Sequence, residues 1–528
     1  MGGGRYEAQL CVVIVEDLFG KVAGAVTETL IREPSHLPML MHKLKPKFPV
    51  VMLRKALAIL INFDFVAFTL DAQMKTHYKV KMEQILRFLS GPRCCLVIKK
   101  LYGQLAEDIC DEIFSQGQLT CSNAMRRAFA RDDSVAIDEL KRVFCELAVA
   151  QFIIRAPPKE DELNGCPMFK SDYDPFLMPE IVLNNIRPES DEKSRKRKNE
   201  DDVKDGDEGV YWRLNWKRFE VYFRDELITN YLVAQTSSST RIENICVKTV
   251  QAIFKCNEVR STSLQALSTA PISLYDILKV LKDNDLDVTK ADLEYALRLL
   301  CDESGGVLRK SGDSAGGLYI IDIEMAVKQI CKGHCESLVR EQFEGRAVRV
   351  LRLLEQRHNL DEDQVAKLCM MSPKEAKELL YALLEEGYVF IKPVGRANDF
   401  QPARTFYVYH TNLSQTIRGL VEYTCKLIRN LIIRDTHEKK EHKTLLDKDA
   451  TIGPIIEGIK ANEELDNESK IAQISEVEDM YLPGPDRAKL SKYRQAQALL
   501  LASQDKSASV LFLFRLLLEL SKQRNPEK

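Results

Sequence analysis

Residues 361–391 read DEDQVAKLCMMSPKEAKELLYALLEEGYVFI, and the punctuation of this stretch decides the fold. Asp361 with Gln364, and Ser372 with Glu375, have the spacing of capping boxes. In a capping box a short polar side chain accepts from the N3 amide while the N3 side chain reaches back. Pro373 takes the first helical position, where a missing N–H costs nothing. Ala376, Leu379, Leu380 and Leu383 then line one helix face, and Gly387 suits the left-handed cap that ends it. Tyr388-Val389-Phe390-Ile391 and Thr405-Phe406-Tyr407-Val408-Tyr409 read as two strands, joined by a loop holding Pro393, Gly395 and Pro402. Upstream, Val348, Leu351 and Leu354 start an earlier helix. Three helices followed by a β-hairpin is the order of a winged helix-turn-helix module.

The same order recurs outward from this stretch. From Leu10, apolar residues at Val13, Leu18, Val22, Val26 and Leu30 predict one amphipathic helix that Pro34 ends. A short helix fits 37–44, Pro46 closes it, and Pro49 suits the first turn of a third helix carrying Val50, Leu53, Leu57, Leu60 and Ile61. Phe65-Val66-Ala67-Phe68, a polar turn at Asp71-Ala72-Gln73, and Tyr78-Lys79-Val80 supply the hairpin. A third copy fits 212–322, with helices Ser273–Leu281 and Thr289–Cys301 and a Gly-rich hairpin. A poorer copy fits 97–156, where Thr120 caps one helix and Leu140, Val143, Phe144 and Leu147 line the next. Its strand Phe152-Ile153-Ile154 lacks an evident partner. The uneven spacing indicates a tandem array and not a regular solenoid.

After 411 the strands stop. Ile417, Leu420, Val421, Leu427, Ile428, Leu431 and Ile432 form a long stripe that a charged segment, 437–449, continues. Val510, Leu511, Leu513, Phe514, Leu517 and Leu518 cover nearly the whole circumference of a last helix, which must therefore be buried. The fold class expected is mainly α with small β-hairpins: tandem winged helix-turn-helix domains plus a C-terminal coiled-coil or helical stalk. The expected domains are 1–96, 97–156, 211–340 and 341–411 as winged helices, 157–210 as a charged flexible linker, and 412–528 as the helical hairpin.

A chain of 528 residues is too long for one ordinary domain, and 45% hydrophobic with 29% charged residues is the balance of a globular protein. Lys+Arg at 76 nearly cancels Asp+Glu at 78, leaving a net of −2, which excludes a uniformly basic coat for nucleic acid but not a local basic face. The charge is unevenly placed. Residues 1–100 hold 15 Lys/Arg against 8 Asp/Glu, a net of +7, whereas 157–210 hold 9 against 15, a net of −6. In the first module Lys43, Lys45, Lys47, Arg54 and Lys55 cluster at the second and third helices, and Lys75, Lys79 and Lys81 mark the hairpin. Arg309 and Lys310 mark the hairpin of the third copy. Basic residues on such a module meet phosphates, so these ten are the candidates for DNA proximity. The mostly apolar third helix argues against base readout. The other reading is a protein-docking module with solvated lysines. Within the acidic segment, Lys193, Arg195, Lys196, Arg197 and Lys198 form a compact basic cluster, a candidate nuclear import signal beside the plainer reading of a solvated charge run.

Fourteen cysteines spread over a long chain do not form a disulfide framework; with the first apolar run broken at Glu16 and Asp17, free thiols in a reducing compartment are expected. No stretch approaches a membrane-spanning length of apolar residues. Gly312-Asp313-Ser314-Ala315-Gly316-Gly317 resembles the nucleophile segment of trypsin-like proteases, but a matching histidine setting is missing and the helical pattern is wrong for that fold. Gly312, Gly316 and Gly317 are better explained as suppliers of positive φ in a tight loop. Cys331, His334 and Cys335 lie at helical spacing without a fourth ligand or a nearby C-x-x-C, so neither a metal nor any cofactor is expected. Walker A and dinucleotide fingerprints are also missing. An enzyme is the least favoured class, behind a nucleic-acid-proximal docking protein and a purely structural scaffold like the lid subunits of proteasome-type assemblies.

Lys310-Ser311-Gly312-Asp313-Ser314-Ala315-Gly316-Gly317-Leu318-Tyr319 resembles the hairpin signature of the third-largest subunits of DNA-directed RNA polymerase III, with Ala315 where those often have glycine. Tyr211-Trp212, Asn215, Arg218-Phe219 and Phe223-Arg224-Asp225 extend the likeness, as do Ser372-Pro373-Lys374-Glu375-Ala376-Lys377 and Arg404-Thr405-Phe406-Tyr407. The resemblance is strongest over 209–412 and weaker, though in order, over 1–156. It implies four winged helices around a C-terminal stalk and a likeness to the alpha subunit of the general factor TFIIE. It implies a non-catalytic nuclear subunit on the polymerase clamp, against the largest subunit and with two smaller specific subunits. It further implies help in initiation and promoter opening at transfer RNA and 5S ribosomal RNA genes, beside TFIIIB-type factors and promoter DNA, with neither membrane nor small-molecule substrate.

Overall fold

In the computed structural model, the residues described are 4–70, 75–131, 136–163, 166–170, 172–178, 206–236, 240–260, 266–283, 288–395, 405–461 and 467–524. The turn at 71–73, Pro402 and the basic cluster 193–198 lie outside them. The chain divides into two compact units, Met1–Gly91 with Glu422–Ser509, and Pro92–Val421 with Val510–Lys528.

In the first unit, helices Lys21–Arg32, Leu37–Leu44 and Val50–Asn62 precede the hairpin Val66–Leu70 and Thr76–Val80. The two-residue strand Ser35–His36 adds to the hairpin through Ser35 opposite Tyr78, completing a three-stranded sheet. Val26, Leu30, Leu40, Leu53, Leu57, Leu60 and Phe65 fill the space between helices and sheet. The single helix expected from Leu10 to Leu30 is in fact two, Arg5–Phe19 and Lys21–Arg32. Gly20 stands between them at φ 85°, a conformation that ends an α-helical ladder and that glycine adopts without strain. The apolar period runs through the break, so periodicity alone did not reveal it. The rest of this unit is helical. Leu445 and Ile452 of helix Lys443–Ala461 cluster with Leu482, Leu490 and Tyr493. Arg494 of helix Gly484–Arg524 grips Asp449 with two bonds of 2.7 and 2.9 Å. The N-terminal helix is held by Glu422, which accepts from the Tyr6 amide at 2.8 Å.

The second unit contains the other three modules. Helices Gln104–Gln116, Cys121–Phe129 and Ile137–Val149 lead to a sheet of Leu119–Thr120, Ile153–Arg155 and Tyr211–Leu214. The partner missing from the sequence reading is therefore Tyr211–Leu214, with Ile153 opposite Leu214 and Arg155 opposite Trp212. This corrects two expectations. The third copy does not begin at 211, and 157–210 is not a linker between modules. Its flanks, Ile153–Arg155 and Tyr211–Leu214, are neighbouring antiparallel strands of the second module's sheet, which makes it an insertion within that module. Composition could show that the segment is polar and acidic, but not that its two flanks pair with each other. Within it, Lys159–Leu163 pairs with Cys166–Phe169. Its far end is fixed by Asp207, 2% exposed, which accepts from the Ser122 amide at 2.7 Å and the Ser122 hydroxyl at 3.0 Å. Trp212 is fully buried and meets Phe144 edge-on, with ring centroids 5.4 Å apart.

Helix Trp216–Gln235 leads into the third module, whose helices are Thr240–Arg260, Leu274–Asp283 and Lys290–Glu303. Its wing is Leu308–Gly312 against Leu318–Ile321, flanked by Ile272–Ser273. Gly316 and Gly317 take φ of 82° and 115° in the turn, as expected. Gly312 does not; it sits in the strand where the register shifts between Lys310 and Gly312, so its role there is a bulge.

The fourth module begins after Glu344, which interrupts Ile323–Arg357 with φ 67°. Helices Glu362–Leu368 and Pro373–Glu385 carry both expected capping boxes, and Gly387 has φ 75°. Phe390–Gly395 pairs with Thr405–His410, and Leu360 bridges Tyr409 in place of a third strand. The end of the last helix is buried as expected, through Leu511, Leu513, Phe514, Leu516, Leu517 and Leu520. The whole is a tandem winged-helix protein with a helical C-terminal region.

Candidate nucleic-acid interface

The basic face of the first module rests on the turn between helices Leu37–Leu44 and Val50–Asn62. Pro49 holds extended backbone at φ −61° and ψ 141° and turns the chain into the third helix. Leu53, Ala56, Leu57 and Leu60 bury that helix on the core, which leaves Arg54 and Lys55 exposed on the opposite side.

The eight candidates in this module divide by their partners. Lys43 donates to Glu33 at 2.6 Å and holds the Glu33 carboxyl below the usual carboxylate range, by hydrogen bond first and charge second. Lys81 is half-buried and pairs with Asp64 at 2.5 Å. Lys75 is exposed immediately before the second hairpin strand. Lys45, Lys47, Arg54, Lys55 and Lys79 are exposed and form no ion pair with the described residues. These five are the cations still available to a phosphate backbone. The same third helix exposes Val51 at 64% and Met52 at 53%, an apolar surface beside the charges.

In the third module Arg309 and Lys310 are both exposed on the first wing strand. Lys310 is tied to Asp313 within the same loop; the pair raises the Lys310 ammonium and lowers the Asp313 carboxyl. That leaves Arg309 as the more available of the two. Sequence reading missed an aromatic surface on this module. Tyr275 and Tyr295 are each 55% exposed, and the Lys290 ammonium lies 5.6 Å from the Tyr275 ring centroid. Their signal was present: both tyrosines fall off the Leu293, Ala296, Leu297 and Leu300 stripe or its counterpart on the preceding helix. The fourth module adds Phe406 and Tyr407, about half exposed on its wing.

Two other motifs resolve into packing. Ser314 sits in a one-turn helix at the tip of the third wing, and its hydroxyl bonds to none of the described residues. The Cys331 thiol donates to the Leu513 carbonyl at 3.6 Å and the His334 ring faces Phe514 at 6.5 Å, so this triplet receives the last helix. Burial pushes the Cys335 thiol up to about 12 and lowers His334. Among the described residues, the group with ligand atoms within 4.8 Å of one another is Glu438, Glu441 and His442, not these cysteines.

The second unit also buries an ion pair. Arg224 is 1% exposed and donates to Asp225 at 2.7 and 2.8 Å. Burial lifts the Asp225 carboxyl to about 6, although Arg224 pulls the other way. The folded state thus binds this proton more tightly than the unfolded chain, whose value is near 3.8. The stability this group contributes is complete below that value and is lost as pH rises through 6. The unfolding free energy of the parent chain relative to Asp225→Asn, from urea titrations, is therefore expected to rise as pH is lowered from 7 to 5 and to approach a limit of roughly 3 kcal/mol only below the unfolded value. A difference independent of pH would contradict this.

An array of winged helices, with cationic and apolar faces and helices closing the chain, is the architecture of a docking subunit of a larger assembly. Three family models match: the RNA polymerase III subunit RPC82 helix-turn-helix domain over residues 9–71, RNA polymerase III subunit RPC82 over 173–330, and the POLR3C C-terminal winged-helix domain over 335–411. The chain is 30% identical to the DNA-directed RNA polymerase III subunit RPC3 of Danio rerio, covering 92% of this chain and 94% of that protein. It is 29% identical to the Homo sapiens subunit of the same name over 98% and 99% of the two. The Dictyostelium discoideum protein is 24% identical over 45% of this chain and 36% of its own length. The chain belongs to the RPC3 family of DNA-directed RNA polymerase III subunits.

Proposed function

We propose that the chain is a docking subunit of nuclear RNA polymerase III without an active site of its own. It sits on the clamp against the largest subunit, joins two smaller specific subunits, and supports initiation and promoter opening at transfer RNA and 5S ribosomal RNA genes beside TFIIIB-type factors. The observation that carries this is the full-length likeness to RPC3 together with four winged modules whose exposed faces differ: cationic on the first, aromatic on the third and fourth. Unlike faces suit unlike neighbours, some protein and some DNA. Lys45, Lys47, Arg54 and Lys55 approach the DNA backbone, where they add affinity without sequence information. The segment 193–198 serves import.

A second reading keeps the polymerase but removes the nucleic acid, because Val51 and Met52 give the first module's third helix an apolar face suited to protein. Purification of the tagged chain from nuclei is expected to bring down RNA polymerase III subunits in stoichiometric amount. Their absence would refute the assignment.

A further inference from the structure

The second unit holds a cavity of about 700 Å³ that the basic faces do not explain. It lies along helices Trp216–Gln235 and Thr240–Arg260, with the end of helix Gly91–Tyr102 on one side. Tyr102, Phe152, Tyr222 and Phe254 give it aromatic walls, and Asp225 lines it. The cations nearest its acids are already engaged. Arg93 pairs with Glu226 at 2.7 Å. Arg218 pairs with Glu258 at 3.0 Å while lying 5.1 Å from the centre of the Phe152 ring. Arg224 donates twice to one oxygen of Asp225, Oδ1. The second oxygen, Oδ2, has no partner among the described residues, though Asp225 is only 8% exposed. The Tyr102 and Tyr222 hydroxyls likewise make no hydrogen bond there.

A carboxylate oxygen that lines a cleft, on a side chain only 8% exposed, sees little solvent and is better satisfied by a cation. Aromatic walls suit the aliphatic stem of a long basic side chain and attract its cation. A phosphate would meet Asp225, Glu226 and Glu258, with Arg218 and Arg224 already paired; Lys248 and Lys255 are exposed on helix Thr240–Arg260. With three basic and three acidic residues on its lining the cleft has no net charge to draw a phosphate backbone, and its aromatic walls suit a side chain, which favours a polypeptide over a nucleic acid. We propose that this cleft seats a lysine or arginine side chain of a neighbouring polypeptide, its cation on the open oxygen of Asp225 and its stem between Tyr102 and Tyr222. The neighbour is another protein of the polymerase assembly, so the inference rests on the reading above.

The test uses the complete, purified polymerase with a photo-reactive benzoylphenylalanine at Gln251, which is exposed and lines the cleft. Recovery of the labelled chain within the polymerase checks the functional reading first and separately. The cross-link is then expected on another polypeptide of the complex, within a few residues of a lysine or arginine. Asp225→Asn should lower its yield at least fivefold. Asn230→Lys, a change at an exposed lining position that leaves the core untouched, should do the same by placing a cation in the seat, whereas Asn230→Gln should not. Cross-links to nucleic acid, to no other chain, or to a segment without a basic residue would overturn the proposal. So would a yield unchanged by both Asp225→Asn and Asn230→Lys.

Discussion

Trp212→Ala is expected to destabilise the second unit by about 3–5 kcal/mol, the range for removing a large buried aromatic side chain. Trp212 is fully buried against Phe144 and belongs to the cluster that includes Ile113, Phe152, Ile153, Leu214 and Phe219. It also holds the middle strand of the sheet, so its loss weakens pairing with Leu119 and Arg155 on both sides. A domain is stable by only about 5–15 kcal/mol, so a change of this size brings the unit near its threshold. Urea unfolding followed by circular dichroism measures it. The same residue separates an insertion from a linker. A protease site inserted within 179–205 and then cut should leave the two fragments co-eluting under native conditions, because Ile153–Arg155 and Tyr211–Leu214 pair across the cut. With Trp212→Ala the cut fragments should come apart far more readily. Fragments of the parent chain that elute separately would restore the linker.

The insertion also shows which features were legible in the sequence. Local signals were read correctly where chemistry is local. The capping boxes at Asp361 and Ser372, the left-handed Gly387 and the all-round apolar last helix each depend on residues within a few positions of one another. Features failed to show where the deciding partner is distant. Tyr211–Leu214 opens with an apolar pair and reads equally well as the start of the next module; only its pairing with Ile153–Arg155 assigns it to the earlier one. Gly20 failed for another reason, since the apolar period is the same on both sides of the break. The candidate interface was legible as a list of cations but not as a set of free ones. Glu33, Asp64 and Asp313 neutralise Lys43, Lys81 and Lys310, and those pairs span 10, 17 and 3 positions. Asp225 stood inside a quoted motif, yet its burial and its single-oxygen pairing with Arg224 come from the packed helices around it.

That division among the cations leads to the second large effect. Replacing Lys45, Lys47, Arg54 and Lys55 together by glutamate should reduce the slope of log affinity for DNA against log salt by about 3–4, since each phosphate contact accounts for about 0.7–0.9. Affinity at low salt should fall by roughly tenfold or more. All four side chains are exposed, so the fold should survive. Reversal of Lys43 and Lys81 should do less to the slope, because each already spends its charge on an acid of this chain. Titration of promoter DNA with the assembled polymerase at several salt concentrations measures both. The apolar neighbours provide the contrast. If the face is a protein dock, Val51→Asp with Met52→Asp should cost assembly while the four glutamates leave the salt slope unchanged. A slope that falls with the four and not with Lys43 and Lys81 can arise only if the unpaired cations, and not the net +7 of the first hundred residues, meet the DNA. A uniform field would respond to total charge, and six reversals would count alike wherever they stood.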